Sequence, residues 1–160
     1  MSYILIILSL LAQISYSCIS ENVIDFKFYI TSGTSDWVVS SQYPNGVYAS
    51  VVSGPTSILP ETSWIWENPV IFMRSITITR YFFVAGKPKS AILISKIDDT
   101  GSAKLNGGTS CSIPGFGVFY TCDLTSSCIV GLNKLEIIGT DTGAGLVGVM
   151  YKLTVISKLV

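Results

Sequence analysis

The chain has 160 residues, of which 49% are hydrophobic and 12% are charged, with ten basic side chains, ten acidic side chains and no histidine. Because the charged fraction is about half the usual share, the surface cannot supply the dense phosphate contacts of a nucleic-acid-binding protein, and no basic run offers a contact for a membrane surface. The absence of histidine excludes Ser-His-Asp and Cys-His catalysis.

The beginning of the chain has the features of a secretory signal peptide. Residues 4–12 form an apolar run that is too short to span a bilayer as a helix, and two serines place small residues where a signal peptidase cleaves. An uncleaved anchor or a buried first strand is the alternative, because no basic residue precedes the run. We predict a signal peptide at 1–17 and one secreted domain at 18–160, with no membrane insertion after cleavage.

Seven later segments have the alternation or the apolar run of a β-strand. They are 26–30, 37–39, 47–52, 75–84, 91–97, 134–138 and 146–156. Turn signals separate several of them, namely Pro-Asn-Gly at 44–46 and Asn-Gly at 106–107. Because short strands with turns at this spacing are typical of sandwiches and barrels, we predict an all-β fold of about eight to ten strands in two sheets.

The longest predicted strand, 75–84, divides its side chains between two faces, because successive residues of a strand point to opposite sides. The first face carries Ile76, Ile78, Arg80 and Phe82, and the second carries Thr77, Thr79, Tyr81 and Phe83. The segment 91–97 is the most apolar of the strands, so we expect it at the centre of a sheet.

Four cysteines follow the predicted cleavage site: Cys18, Cys111, Cys122 and Cys128. An even number in a secreted chain indicates two disulfides, whereas metal binding is disfavoured by the lack of histidine and of a Cys-x-x-Cys pair. Three connectivities are open. We expect one bridge within the last three cysteines and a second from the remaining one to Cys18, which would close a loop worth roughly 4–5 kcal/mol in the chain-entropy model.

The order of motifs from residue 62 to residue 157 resembles that of a known family. Thr-Ser-Trp-Ile-Trp-Glu at 62–67 precedes the strand 75–84, the apolar run 91–99, Leu-Asn-Gly at 105–107 and the segment 132–139. This order resembles the galactose-binding-domain-like β-sandwiches, the jelly rolls of lectins, carbohydrate-binding modules and accessory domains of glycosidases. The resemblance implies a two-sheet jelly-roll sandwich with a ligand site in loops at one end, and in some members a structural calcium ion.

Aromatic and polar residues near predicted loops are the candidates for sugar binding, because pyranose rings stack on Trp and Tyr while their hydroxyls reach polar groups. The ligand-binding candidates are Trp37, Tyr43, Asn45, Tyr48 and Arg80, with Asp36 as a further partner for a hydroxyl. Trp64 and Trp66 lie two residues apart on one face of a strand, and we expect them in the core.

Asp98 and Asp99 are the one adjacent carboxylate pair. We expect them to end a strand and cap a turn at Thr100-Gly101; a structural Ca²⁺ held by Asp98 and Asp99 is the alternative. Neighbours on a strand point to opposite faces, so the pair cannot act as a catalytic dyad. A glycosidase needs two carboxylates across a cleft, and no motif selects such a pair here. We expect no enzymatic activity and, apart from that calcium ion, no cofactor.

Two functions from different classes fit these observations. The first is a secreted, non-enzymatic, lectin-like module that binds surface or extracellular glycans or glycoproteins. The second is a structural subunit of an extracellular coat or fibre, which self-assembles through its sheet edges. The low charge and the high apolar content favour the second function, whereas the family resemblance favours the first.

Overall fold

The structure is a computed structural model that describes residues 24–54, 58–115, 117–143 and 145–159. No helix in these ranges is long or apolar enough to cross a bilayer. The elements are twelve strands and one short 3-10 segment: β1 (Ile24–Thr31), β2 (Trp37–Val39), β3 (Val47–Tyr48), β4 (Ser50–Val51), β5 (Ile65–Trp66), β6 (Ser75–Val84), β7 (Lys87–Asp98), β8 (Thr100–Leu105), β9 (Cys111–Ile113), β10 (Tyr120–Asp123), the 3-10 segment (Thr125–Ser127), β11 (Gly131–Thr140) and β12 (Gly148–Leu159).

These strands form two antiparallel sheets of six strands each. In the first sheet β10, β7, β12, β5 and β4 are neighbours in that order, and β1 pairs with the later part of β12. In the second sheet the order is β3, β2, β6, β11, β8 and β9. The predicted all-β, two-sheet β-sandwich is therefore confirmed, and this fold is compatible with that of a galactose-binding-like domain.

The core lies between the sheets and is built from alternate residues of the long strands. In β6, Ile76, Ile78 and Phe82 are buried, as the alternation predicts. Trp64 and Trp66 are also buried, so both belong to the core as expected. The apolar segment that was expected at the centre of a sheet lies in β7, which pairs with β10 on one side and β12 on the other.

Three local features differ from the sequence-based expectation. The predicted strand at 47–52 is two strands, because β3 joins the second sheet and β4 joins the first, with buried Ala49 between them. The expected turn at Thr100-Gly101 is wrong, because both residues lie in β8 and the chain changes sheets at Asp99 alone. Twelve strands exceed the expected eight to ten, because strands of two or three residues are too short to show a period.

A disulfide joins Cys111 to Cys122, with a distance of 5.9 Å between the Cα atoms. Cys111 begins β9 at an edge of the second sheet, and Cys122 lies in β10 at an edge of the first sheet. The bridge therefore ties the two sheets together along one side of the sandwich. Cys128 is buried and forms no disulfide with another described residue. Its predicted partner Cys18 lies outside the described residues, as does the predicted signal peptide.

Candidate functional site

A groove of about 690 Å³ runs over the outer face of the second sheet. It crosses β3, β2, β6 and β11, which are consecutive neighbours in that sheet. The side chains that give the groove its character are Trp37, Tyr48, Thr79, Arg80, Tyr81 and Lys134. We call this feature the aromatic groove.

The strand register explains why these residues meet. Trp37 in β2 is paired with Tyr48 in β3 on one side and with Thr79 in β6 on the other, so the three lie in one row across the sheet. Tyr81 follows two positions along β6 and is paired with Lys134 in β11. Since residues two apart share a face, both rows project to the outside, while Ile78, which precedes Thr79 on the other face of β6, is buried.

Two aromatic rings form a corner at one side of the groove. The ring centroids of Trp37 and Tyr48 lie 5.0 Å apart, and the ring planes meet at 89°, which is the edge-to-face arrangement that aromatic pairs favour. Trp37 is 37% exposed, Tyr48 is 64% exposed and Tyr81 is 57% exposed. These three rings therefore present a large apolar surface to solvent on rigid strands.

Gly46 gives the Trp37 ring its position. A Cβ atom at residue 46 would lie 1.9 Å from Trp37 Nε1, which no side chain permits, and the φ angle of +82° is itself a glycine conformation. The Pro-Asn-Gly turn signal thus predicts the turn correctly. It did not reveal that the glycine also makes room for the indole.

Arg80 reaches the groove from the opposite face of β6. Its Nη1 donates to Ser35 Oγ and lies 3.8 Å from Asp36 Oδ1. Asp36 is fully buried, and its carboxylate accepts hydrogen bonds from Tyr151 Oη at 2.6 Å and from Gly33 N at 2.8 Å. Burial raises the pKa of Asp36, against the opposing effect of these bonds and of the Arg80 charge. Asp36 therefore anchors Arg80 from below and cannot itself contact a ligand, contrary to the expectation for it.

Lys134 belongs to a small charged cluster beside the rings. Its Nζ lies 2.9 Å from Glu136 Oε1, and Lys104 Nζ lies 3.7 Å from Glu136 Oε2. The hydrogen bond between Lys134 and Glu136 raises the pKa of the lysine and lowers the pKa of the carboxyl group. Glu136 thus holds Lys134 over the groove in its charged form.

The structure brings together three of the five predicted ligand-binding residues. Trp37, Tyr48 and Arg80 line the aromatic groove, although a role for them in binding stays a prediction. Tyr43 lies elsewhere, because its hydroxyl donates to Asn68 O at 2.7 Å and so holds a loop. Asn45 is exposed in the connection between β2 and β3 and does not line the groove.

Sequence reasoning missed Tyr81, Thr79 and Lys134. The alternation of β6 did place Tyr81 and Thr79 together on one face, which was the available signal. What the sequence lacked was the register that pairs β6 with β2 and β11. Without that register, nothing connects Tyr81 to Trp37, which lies far away along the chain.

A smaller cavity of about 350 Å³ lies among loops beside β4. The family resemblance implies a ligand site in loops at one end of the sandwich, and this cavity fits that position better than the aromatic groove does. Val51, Val70, Phe72 and Leu146 make most of its lining apolar, and no Trp or Tyr is among the described residues around it. Because sugars need both a ring for stacking and polar groups for their hydroxyls, the aromatic groove is the stronger candidate.

Asp98 and Asp99 lie at the corner where the chain passes from β7 to β8. Asp99 accepts hydrogen bonds from the backbone N–H and the hydroxyl of Thr142, which lower its pKa. Asp98 is buried, and desolvation, together with the hydrogen bond and charge of Asp99 and the charge of Asp141, raises its pKa to about 6. Within the described ranges, no three His, Cys, Asp or Glu side chains are arranged to hold a metal ion. A calcium ion held by Asp98 and Asp99 stays a prediction.

Replacing Asp98 with asparagine should stabilise the protein at neutral pH. The folded pKa of about 6 lies above the ordinary 3.8, so the folded state binds the proton more tightly and its stability falls as the pH rises from about 4 to about 6. We expect Asp98→Asn to gain about 1–2 kcal/mol at about pH 7.5, a value reduced for solvent screening. The gain should vanish near pH 4. Urea unfolding of both proteins at the two pH values measures this, and a pH-independent difference would contradict it.

Comparison with known proteins adds little to this description. No protein-family model matches the chain, and no curated protein matches it. Among solved structures, the GH26-CBM35 β-(1,4)-mannanase of Podospora anserina is similar with a TM-score of 0.47 and 10% identity, over 84% of this chain and 28% of that one. The FMN-binding β-glucuronidase of Facaelibacterium prausnitzii L2-6 has a TM-score of 0.49 and 15% identity, over 83% of this chain and 23% of that one. The chain thus spans about a quarter of the length of each.

Proposed function

We propose that this protein is a secreted, lectin-like, non-enzymatic domain with a galactose-binding-like sandwich, which binds glycans in the aromatic groove. The observation that carries the proposal is the exposed corner of Trp37 and Tyr48, with Tyr81 and hydrogen-bonding side chains in the same groove. Large exposed apolar surfaces on a protein mark sites of interaction, and here polar groups are interspersed with the rings.

The chemistry of the groove matches that of a sugar. The C–H groups on a pyranose face are apolar and pack on an aromatic ring, while the equatorial hydroxyls at the ring edge need hydrogen-bond partners. Because the Trp37 and Tyr48 planes are perpendicular, one ring can stack on the sugar while the other closes the side. Thr79, Arg80 and Lys134 offer a hydroxyl, a guanidinium and an ammonium group to the sugar hydroxyls.

The arrangement supports binding without catalysis. Glycoside hydrolysis requires two carboxyl groups at about 5–10 Å from each other across the bond. Among the described residues that line the groove there is no carboxylate. The two nearby carboxylates are already engaged, since Asp36 is buried beneath Arg80 and Glu136 is paired with two lysines.

The site needs little reorganisation to bind a ligand. Trp37, Tyr48, Tyr81 and Lys134 all project from paired strands, and Gly46 fits against the indole. A rigid site avoids the cost of about 0.5–1.5 kcal/mol for each side chain that binding would otherwise immobilise. Secretion is supported by the predicted signal peptide, and the Cys111–Cys122 disulfide is consistent with an oxidising compartment.

A glycan array probed with residues 18–160 tests the proposal, and Trp37→Ala tests the site. We expect binding of at least one glycan, and a loss of about 30-fold or more in affinity for Trp37→Ala, since truncating a tryptophan at the centre of a binding site costs about 2 kcal/mol or more. Trp64 and Trp66 are buried, so a change of tryptophan fluorescence during titration would report on Trp37.

Phe72→Ala is the matched control, because Phe72 is an exposed aromatic residue, 39% exposed, in the smaller cavity. It should leave the affinity unchanged. Loss of binding in Phe72→Ala but not in Trp37→Ala would move the site to that cavity. A blank array from folded protein would instead favour the structural-subunit function, for which β1 is the candidate edge, since Ile24 and Phe26 are exposed there and β1 pairs with β12 alone within the described chain.

A further inference from the structure

We infer that the glycan bound in the aromatic groove is anionic and carries a carboxylate or a sulfate ester. This inference rests on the proposed function and adds the chemical class of the ligand. Two cationic side chains, Arg80 and Lys134, line the groove, and no carboxylate lines it among the described residues. A neutral sugar has no group that would use both positive charges.

The positive lining is a local feature. The chain as a whole has ten basic and ten acidic residues and a formal net charge of zero, so general attraction of anions to the protein surface is weak. The groove nevertheless gathers two cations beside three exposed aromatic rings. Charges arranged in a concave site raise the local concentration of a ligand of opposite sign.

The carboxylate of Asp36, which pairs with Arg80, leaves part of the guanidinium available to donate hydrogen bonds to a ligand. Both polar contacts of Arg80 within the described chain, to Ser35 Oγ and Asp36 Oδ1, involve Nη1, so Nη2 and Nε remain to bind a ligand. A planar guanidinium matches a carboxylate or a sulfate with parallel hydrogen bonds. Asp36 lies beneath Arg80 and is fully buried, so it fixes the guanidinium without reaching the groove.

Lys134 supplies the second cation in the same way. Glu136 contacts Lys134 and also Lys104, so one carboxylate is shared between two ammonium groups and the cluster keeps a positive charge. Lys134 lines the groove, whereas Lys104 does not. The two lysines are each 39% exposed and share the same partner, which makes them a matched pair for mutation.

The test compares matched ligands that differ only in charge. Oligogalacturonate is compared with its methyl ester, and a κ-carrageenan oligosaccharide with its desulfated form, by titration calorimetry against residues 18–160. We expect at least one anionic form to bind about tenfold or more tightly than its neutral partner, and the difference to shrink between about 50 and about 300 mM NaCl. The first pair reports on a carboxylate and the second on a sulfate.

Lys134→Gln should weaken the anionic form more than the neutral form, so that the preference for the anion falls about threefold to tenfold, because glutamine keeps a hydrogen-bond donor but removes the charge. Lys104→Gln should lower the preference less, because Lys104 does not line the groove and affects the ligand only through Glu136. Arg80→Lys, which keeps the charge and the contact near Asp36, should also lower the preference because the planar fork is lost.

Equal affinity of both members of each pair, or binding of neither anion, would overturn the inference. If Trp37→Ala nevertheless weakens the binding of a neutral glycan found on the array, the proposed function holds and only the inference about anionic glycans fails.

Discussion

Replacing Arg74 with methionine should lower the free energy of unfolding by about 3–5 kcal/mol, because it leaves a buried carboxylate without its counter-charge. Glu67 is fully buried directly after β5. Its Oε1 accepts a hydrogen bond from Arg74 Nη1 at 3.0 Å, and its Oε2 accepts one from Ser40 Oγ. Methionine keeps the volume of the aliphatic stem, so the loss reports on charge and hydrogen bonding. Urea unfolding at neutral pH measures it.

Lys89→Met is the matched control for this change. Lys89 Nζ lies 2.6 Å from Asp25 Oδ2, but both side chains are about half exposed, at 50% and 51%, so solvent screens the pair and its loss should cost less than about 1 kcal/mol. The double variant Glu67→Gln/Arg74→Met should recover part of the stability that Arg74→Met loses, since no charge then remains buried. Equal losses for Arg74→Met and Lys89→Met would contradict the assignment of Glu67 as a buried ion.

Removing the Cys111–Cys122 disulfide should lower the free energy of unfolding by about 3 kcal/mol. The sequence separation of 11 residues closes a short loop, and in the chain-entropy model such a bridge acts by restricting the unfolded chain. Because the bridge joins β9 in one sheet to β10 in the other, its loss should also free one side of the sandwich. In the variant Cys111→Ser/Cys122→Ala, alanine keeps the buried position 122 apolar. Urea unfolding compares the free energy of unfolding of this variant with that of the native protein.

A reducing agent serves as the second measurement for this disulfide. Dithiothreitol should lower the stability of the native protein at least to that of the variant. If it also lowers the stability of the variant, a further bridge exists, which is the predicted pairing of Cys128 with Cys18. If the variant is insensitive to the reductant, Cys128 is a free thiol. A variant as stable as the oxidised native protein would show that the bridge contributes nothing.

The fold class could be predicted from the sequence because each long strand carries its own pattern. The alternation in β6 predicted the burial of Ile76, Ile78 and Phe82, with Arg80 as the half-buried exception on that face. The apolar run in β7 correctly indicated a central strand. The Asn-Gly signal at 106–107 correctly placed the hairpin between β8 and β9. These features are local, since backbone conformation and the two faces of a strand follow from adjacent residues.

The elements that failed are those in which the chain changes sheets. Residues 47–52 read as one strand, yet Ala49 divides them between the two sheets. Asp99 was expected to precede a turn, but a single residue joins β7 to β8. A local pattern records that a residue is extended and which side is apolar, but it does not record which strand lies beside it.

The candidate site shows the same division. The sequence by itself determined that Trp37, Tyr48 and Arg80 were chemically suited to a sugar, and that Tyr81 shares a face with Thr79. Only the tertiary structure decided that Tyr81 and Lys134 join them and that Tyr43 and Asn45 do not. It also placed Asp36 beneath Arg80. The groove is a product of register between strands distant in sequence, and register is set by long-range pairing that no short segment encodes.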